Sequence, residues 1–377
     1  MKKIIIMSLI APTIIFGCQK EERGFLSKLA SAFQASFQSS AIYEEQNPFI
    51  YCGAKRNNYS QANVGNREKA ANECPFCYHV ATDHPSIMKK FDNSFLKLND
   101  SPYTPGTSLF LPNAHIPALK DMTKEEQITF ISCLLQSTKA IKTGLSDITE
   151  VHIGLNLGRE AGASQPSHMH FHIVPIGDNA LTHTISSDTK TPDNEEIHKK
   201  LSPKMAAITS DQPISKTNSE HTHKKDCPSC ALFNSTDHDK TNLIIARTEH
   251  GIVKLHDHPS HNGHVIYIPK NHHTSLSESQ LSKEELADIT DFFTKMPQVY
   301  EELFKTDVGG VSLNFHIKEE INDKLTTNGA HTYISSIPRK TGDSAFLTIL
   351  AGYPLITRNT ETLYDNFKKR WDNSQSN

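Results

Sequence analysis

Residues His168-Met169-His170-Phe171-His172-Ile173-Val174-Pro175 set three histidines at alternate positions with apolar residues between them. Side chains of a β-strand alternate between faces, so the run puts three imidazoles on one side and Met169, Phe171 and Ile173 on the other. The apolar side can pack on a core, and Pro175 closes the strand. A solvated histidine-rich loop has no reason to alternate so strictly. That description suits His256, His258, His261 and His264 instead, which read as solvated or pocket-rim groups rather than a metal site. A face of three imidazoles gathers nucleophile, proton carrier and metal ligand within a few ångströms.

The 377 residues carry a net charge of −3 with no basic stripe, so nucleic-acid binding has no electrostatic support. At the N-terminus Met1-Lys2-Lys3 precedes an apolar run from Ile4 to Phe16 and then Gly17-Cys18. A charged segment, a short hydrophobic segment and a small residue before cysteine make a secretory signal. It resembles a bacterial lipoprotein signal over residues 1–18. That resemblance implies lipidation at Cys18 and a membrane-anchored protein of the cell envelope. The apolar run is too short to span a bilayer comfortably.

Seven cysteines divide unevenly. Cys18 belongs to the signal, and Cys52 and Cys133 stand alone. The other four form Cys74-x-x-Cys77 and Cys227-x-x-Cys230. Exported proteins usually spend cysteines on disulfides, but two such pairs at matching places point elsewhere.

Residues 19–70 read as a polar N-terminal extension with one amphipathic stretch, Phe25 to Phe37. Residues 71–177 read as a compact α+β domain. Phe95–Leu98, Ser108–Leu111 and Val151–Asn156 are strand-like, and Thr123 with Glu126 marks a capped helix. Residues 178–225 have the Thr/Ser/Asp/Lys composition of a flexible linker. Residues 226–357 then repeat the first domain, and 358–377 form a C-terminal tail. The repeat is visible in its landmarks. Cys74-Pro75-Phe76-Cys77 recurs as Cys227-Pro228-Ser229-Cys230, and Pro112-Asn113-Ala114-His115 as Pro269-Lys270-Asn271-His272. Leu155-Asn156 recurs as Leu313-Asn314, and His168 and His331 each lie seven residues before a proline. Landmarks in one order across two halves indicate a duplication.

Each half thus supplies Cys, Cys, His and His: Cys74, Cys77, His115 and His168, then Cys227, Cys230, His272 and His331. Two thiolates and two imidazoles complete a tetrahedral zinc site with no open position, so both sites are expected to be structural. Disulfides remain the alternative.

The histidine run resembles the HIT (histidine triad) motif, and the preceding segment Asn156-Leu157-Gly158 to Gly162-Ala163-Ser164-Gln165-Pro166 resembles the loop in front of that motif. Its wording is similar to the nucleotidyltransferase branch, whose members resembling galactose-1-phosphate uridylyltransferase, like dinucleoside polyphosphate hydrolases, work on nucleotides. The resemblance implies an α+β fold in which two HIT-like domains form an intrachain pseudo-dimer. It also implies that His170 is the nucleophile, forming a nucleotidyl-histidine that water or another acceptor cleaves. His172 then contacts a phosphate oxygen or protonates the leaving group, and Asn156, Ser164 and Gln165 donate to developing charge. Asn99 or Asp100 stands where relatives bind a ribose hydroxyl. Each of these polar residues could instead cap a turn. Transferase relatives carry glutamine at the third triad position and hydrolase relatives histidine, so His172 favours hydrolysis.

In the second half Tyr333 and Ser335 occupy the positions of His170 and His172, which leaves that half without a nucleophile. The expectation is a nucleotide-binding hydrolase acting at the α-phosphorus of a nucleotide or nucleotide conjugate. The alternatives are a nucleotidyltransferase with phosphate or sugar-phosphate acceptor, and a non-catalytic zinc-stapled surface binding protein.

Overall fold

The computed structural model describes residues 70–177, 194–208, 227–305, 310–316, 331–339 and 361–373, apart from 101, 103, 147, 159, 160, 162, 235, 258, 260 and 278–280. The signal with Cys18, the stretch Phe25 to Phe37, Cys52 and His258 lie outside the described residues. No helix among the described residues is long and apolar enough to cross a membrane.

Among the described residues ten strands make one antiparallel sheet: β1 Ile87–Lys90, β2 Ser94–Leu98, β3 Ser108–Pro112, β4 Ile148–Leu157, β5 Phe171–Gly177, β6 Ile244–Arg247, β7 Gly251–Leu255, β8 Val265–Pro269, β9 Gly310–His316 and β10 Tyr333–Arg339. Their spatial order, β1-β2-β3-β5-β4-β9-β10-β8-β7-β6, is a palindrome. Five strands from each half meet at the β4–β9 pair, around a pseudo-dyad.

The helices are α1 Pro75–Ala81, α2 Lys124–Gly144, α3 Asn194–Ala206, α4 Pro228–Ala231, α5 Lys283–Phe304 and α6 Glu361–Asn373. Both long helices start at capping boxes, that of α2 at the expected Thr123. Thr123 and Glu126 bond reciprocally at the head of α2, and Ser282 and Glu285 at the head of α5. Apolar faces of α2 and α5 cover one face of the sheet in a single core. Phe171 of the first half meets Phe293 of the second with ring centroids 6.0 Å apart, and Phe293 meets Phe315 at 5.2 Å. The halves therefore share a sheet and a core, which is what a pseudo-dimer requires.

Two expectations need correction. The segment 178–225, read as a flexible linker, contains α3, whose Ile197, Leu201 and Met205 are buried in the core against α2 and β1. The tail 358–377 contains α6, which docks Tyr364, Phe367 and Trp371. In both, apolar residues spaced by three or four form one helical stripe inside a polar composition.

The repeat is also aligned differently along β9. His172 pairs with Gly154 in the first half, and its counterpart Ser335 pairs with Asn314. Gly154 thus corresponds to Asn314 and Asn156 to His316, two residues away from the Leu-Asn match in the sequence. A slip of two keeps every side chain on its face, so hydrophobic patterning does not reveal it.

Candidate active site

The face of the sheet away from α2 and α5 carries the histidines. Met169, Phe171 and Ile173 are buried in the core, as the alternation requires, and His170 and His172 share the opposite face. The expected strand is displaced, however: β5 begins only at Phe171, so His168 and His170 precede it, and it runs through Pro175 to Gly177 because pairing with β4 continues. Just before β5, His168 is fully buried, and its Nδ1 lies 3.4 Å from Cys74 Sγ and 3.5 Å from Cys77 Sγ. His115 brings its Nδ1 to 3.3 Å from Cys77 Sγ. The second half repeats the arrangement. His331 Nδ1 is 3.7 Å from Cys227 Sγ and 3.6 Å from Cys230 Sγ, and His272 Nδ1 is 3.4 Å from Cys230 Sγ. In each quartet all four donor atoms lie within 4.8 Å of one another, so each could hold a metal ion.

The protonation states suit such a site. His168 Nε2 donates to Pro112 O at 3.1 Å, which leaves Nδ1 as the lone-pair nitrogen facing the sulfurs. Burial lowers the His168 pKa to about 4 against the opposing pull of that carbonyl, so the ring is neutral at neutral pH. His331 falls to about 3, again chiefly through burial. Burial and the adjacent Cys74 push the Cys77 thiol up to about 11, so a bound cation is what would bring out the thiolate.

The same scaffold orients His170, which is buried at 2 % exposure. Its Nδ1–H donates to His168 O at 2.9 Å, which fixes the tautomer with the basic lone pair on Nε2. Phe76, from the helix carrying the first CxxC pair, lies against both rings, at 5.1 Å from His170 and 5.5 Å from His168. The half-buried His172 ring stands 5.1 Å from His170 at 64°. Asn156 follows Leu155, the partner of Phe171, and so reaches the level of His170 on β4. After β4 the chain turns at Gly158, with φ of +80°, and Ala163 N–H returns to Gly158 O at 3.3 Å. That loop brings in Ser164, half-buried, and Gln165, 3 % exposed. Gln165 O accepts from His168 N–H, whereas its side-chain Oε1 has no hydrogen-bond partner among the described residues.

The two ribose candidates separate. Asn99 is buried at the end of β2, where its N–H donates to Thr107 O at 2.9 Å. Asp100 is exposed, and its Oδ2 takes a hydrogen bond of 2.7 Å from Lys97 Nζ. Sequence reasoning missed Lys97, whose side chain is fully buried. Burial pulls its pKa down and Asp100 opposes this. The signal was available: in Phe95-Leu96-Lys97-Leu98, Lys97 alternates onto the face opposite the core pair Leu96 and Leu98.

Tyr333 and Ser335 stand at the counterpart positions in the second half, so the described structure brings no second imidazole nucleophile there. His264 Nε2 lies 2.9 Å from Ser335 Oγ, and the His256 ring stacks on His264 at 4.4 Å. His261 and His264 are buried, which overturns the solvated half of the expectation that these are solvated or pocket-rim groups.

Residues 83–178 match the family model of the HIT domain. An AP-4-A phosphorylase of Mycobacterium tuberculosis is 35% identical over 78 residues, 21% of this chain and 40% of that protein. The match thus spans less than half the length of this curated relative. Among solved structures, a GalT-like protein from Arabidopsis thaliana superposes with a TM-score of 0.51 at 13% identity, covering 80% of this chain and 93% of the other. An ADP-glucose phosphorylase from Arabidopsis thaliana, with ADP-glucose bound, has a TM-score of 0.51 at 13% identity, covering 82% and 93%. Likeness at that identity is likeness of fold.

Proposed function

We propose that the HIT domain at residues 83–178 makes this protein an enzyme that cleaves nucleotide substrates at the α-phosphorus through His170. The observation that carries the reading is the Nδ1–H bond from His170 to the His168 carbonyl, which leaves Nε2 as the basic nitrogen of a ring 5.1 Å from that of His172. Nε2 forms a bond to phosphorus as the bond from phosphorus to the leaving group breaks, and the leaving group takes a proton from His172. Water then attacks the same phosphorus and gives its proton to the now neutral His172, while the P–N bond breaks and its electron pair returns to Nε2. Asn156, Ser164 and Gln165 offer neutral donors to the charge that develops. A second reading keeps the first step and gives the nucleotidyl group to inorganic phosphate instead of water. It is favoured by the relative that is 35% identical over 78 residues, which is named an AP-4-A phosphorylase.

We also propose zinc for the two Cys2His2 quartets. Zinc–sulfur bonds of about 2.3 Å and zinc–nitrogen bonds of about 2.0–2.1 Å make the sulfur–nitrogen edge of a tetrahedron about 3.6 Å. The separations of 3.3, 3.4 and 3.5 Å in one quartet and 3.4, 3.6 and 3.7 Å in the other fit that edge. Four protein ligands leave zinc a structural role, tying Cys74 and Cys77 of the α1 region to His115 and the triad strand.

The test incubates the protein with ADP-glucose, dinucleoside tetraphosphates and adenosine phosphoramidate, with and without inorganic phosphate. Mass spectrometry should find a nucleotidyl adduct, and His170→Ala should lose adduct and turnover, by on the order of 10³-fold or more. Released nucleoside monophosphate identifies water as acceptor, and nucleoside diphosphate identifies phosphate. A folded, metal-loaded protein with neither adduct nor turnover would be a binding scaffold.

A further inference from the structure

One row of paired residues crosses eight strands of the sheet: Lys97, Leu109, His172 and Gly154 from the first half, then Asn314, Ser335, Ile266 and Lys254 from the second. Each residue has its counterpart on the other side of the pseudo-dyad. The second half loses its imidazoles at the reacting positions, yet it keeps the feature hardest to keep. Lys254, with a side chain 5 % exposed, bonds both oxygens of Asp257 at 2.8 and 2.7 Å, as the buried Lys97 bonds Asp100. A buried ammonium is unfavourable unless paired. Its presence at one register position in both halves, only one of which has a nucleophile, associates it with the binding face and not with bond breaking.

The second half also adds rings. The half-buried His256 stacks on His264 at 4.4 Å and 18°, and the Tyr333 ring, also half-buried, lies 5.9 Å from His256. Beneath them His264 is fixed to Ser335 at 2.9 Å. Aromatic and imidazole rings offer stacking surfaces to a base, and hydroxyl and imidazole groups serve phosphate oxygens. None of this requires a group that attacks phosphorus.

We propose that the face at Tyr333 and His256 is a second, non-catalytic subsite for a nucleoside phosphate. This rests on the reading of the first half as a nucleotide site. The occupant has two possible sources. His172 and Ser335 are three strand steps apart, about 14 Å, so one source is the far end of a two-headed substrate whose phosphate chain crosses the pseudo-dyad. The other is a separate nucleotide.

The metal-loaded full chain is titrated with AMP and with GMP by calorimetry. The expected stoichiometry is two per chain for at least one of them. Tyr333→Ala and His256→Ala should each reduce it to one, while His170-dependent turnover of ADP-glucose stays at the level of the unaltered protein. Zinc content of two per chain in each variant checks that it has folded. A rise of about tenfold in KM for a dinucleoside tetraphosphate in Tyr333→Ala, the loss of one base stack, assigns the subsite to the two-headed substrate. An unchanged KM with the second AMP or GMP lost assigns it to a separate nucleotide. One nucleotide per chain in the unaltered protein overturns the inference and leaves the first-half reading standing. Two that survive both substitutions also overturn it, and none removes the first-half reading as well.

Discussion

Glu285 and Glu126 hold the same capping position at the heads of α5 and α2, yet they live in different surroundings. Glu126 is exposed, and its carboxylate serves only Thr123 among the bonds described. Glu285 is 4 % exposed and accepts from Asn271 at 2.8 Å, His273 at 3.0 Å and Ser282 N–H at 2.9 Å, tying the helix head to the loop that carries His272. Burial works to raise its pKa, but the bonds from His273, Ser282 and Asn271 win and hold it at about 2. A carboxyl depressed in the folded state adds stability that is complete above its unfolded value, near 4.5, and is lost as pH falls toward 2. Glu285→Gln should therefore cost about 3 kcal/mol near pH 6. In urea unfolding the gap to the unaltered protein should narrow steadily between pH 5 and pH 3; a gap independent of pH would contradict this assignment. The capping role of Glu285 is legible in Ser282-Lys283-Glu284-Glu285, but its burial is not, because partners ten or more residues away create it. The triad is the opposite case. The alternation of His168, His170 and His172 states which face the imidazoles share, though only His172 lies within β5, whereas the alternation around Lys97 gives its face but not its burial.

At the scale of elements, β9 does more than extend the sheet. A Cβ placed on Gly310 would sit 2.6 Å from both Leu157 O and Ala161 N, so the loop leading to Ser164 and Gln165 rests directly on backbone of the second half. Gly310→Ala should displace that loop by some tenths of an ångström. Turnover should drop by roughly 10- to 100-fold, the scale of a misplaced donor set, with KM changing less than kcat. Steady-state kinetics on protein of unchanged zinc content checks this, and full activity in the variant would mean that the loop does not need this seat. The capped helices α2 and α5 and strands β2 to β5 were legible because period and caps agree locally. The stripes of α3 and α6 were written in the sequence too, in Ile197, Leu201 and Met205 and in Tyr364, Phe367 and Trp371, beneath a polar composition that masks them. The register of β9 was not legible, since it is decided by pairing with β4 and β10.

Across the whole molecule, the two halves are fastened by one core and by ion pairs between the helix heads, Lys124 to Asp291 and Lys283 to Glu125, each at 2.8 Å. Such exposed pairs add little; the shared core and the β4–β9 pairing hold the halves together. Metal analysis should give about two zinc per chain. Chelation should lower the melting temperature and remove turnover together, because the quartet that binds His168 also carries Phe76 and the carbonyl that holds His170. Loss of zinc with activity intact would separate the clamp from the catalytic strand. The duplicated quartets made the duplication readable in the sequence, and the pseudo-dimer came only with the resemblance to the HIT family. Which strands form the seam was not readable from spacing, because it depends on the pairing of β4 with β9.

That seam has a consequence for descent. Remove either copy and the central strand of the other becomes an edge, with Ile153, Leu155 and Leu157 on one side, or Val311, Leu313 and Phe315 on the other, losing the neighbour that hydrogen-bonds them. Once fused in this way, a duplicated gene cannot shed its non-catalytic half without exposing that edge. That copy can drift in chemistry, as Tyr333 and Ser335 record, while the demands of folding preserve its shape.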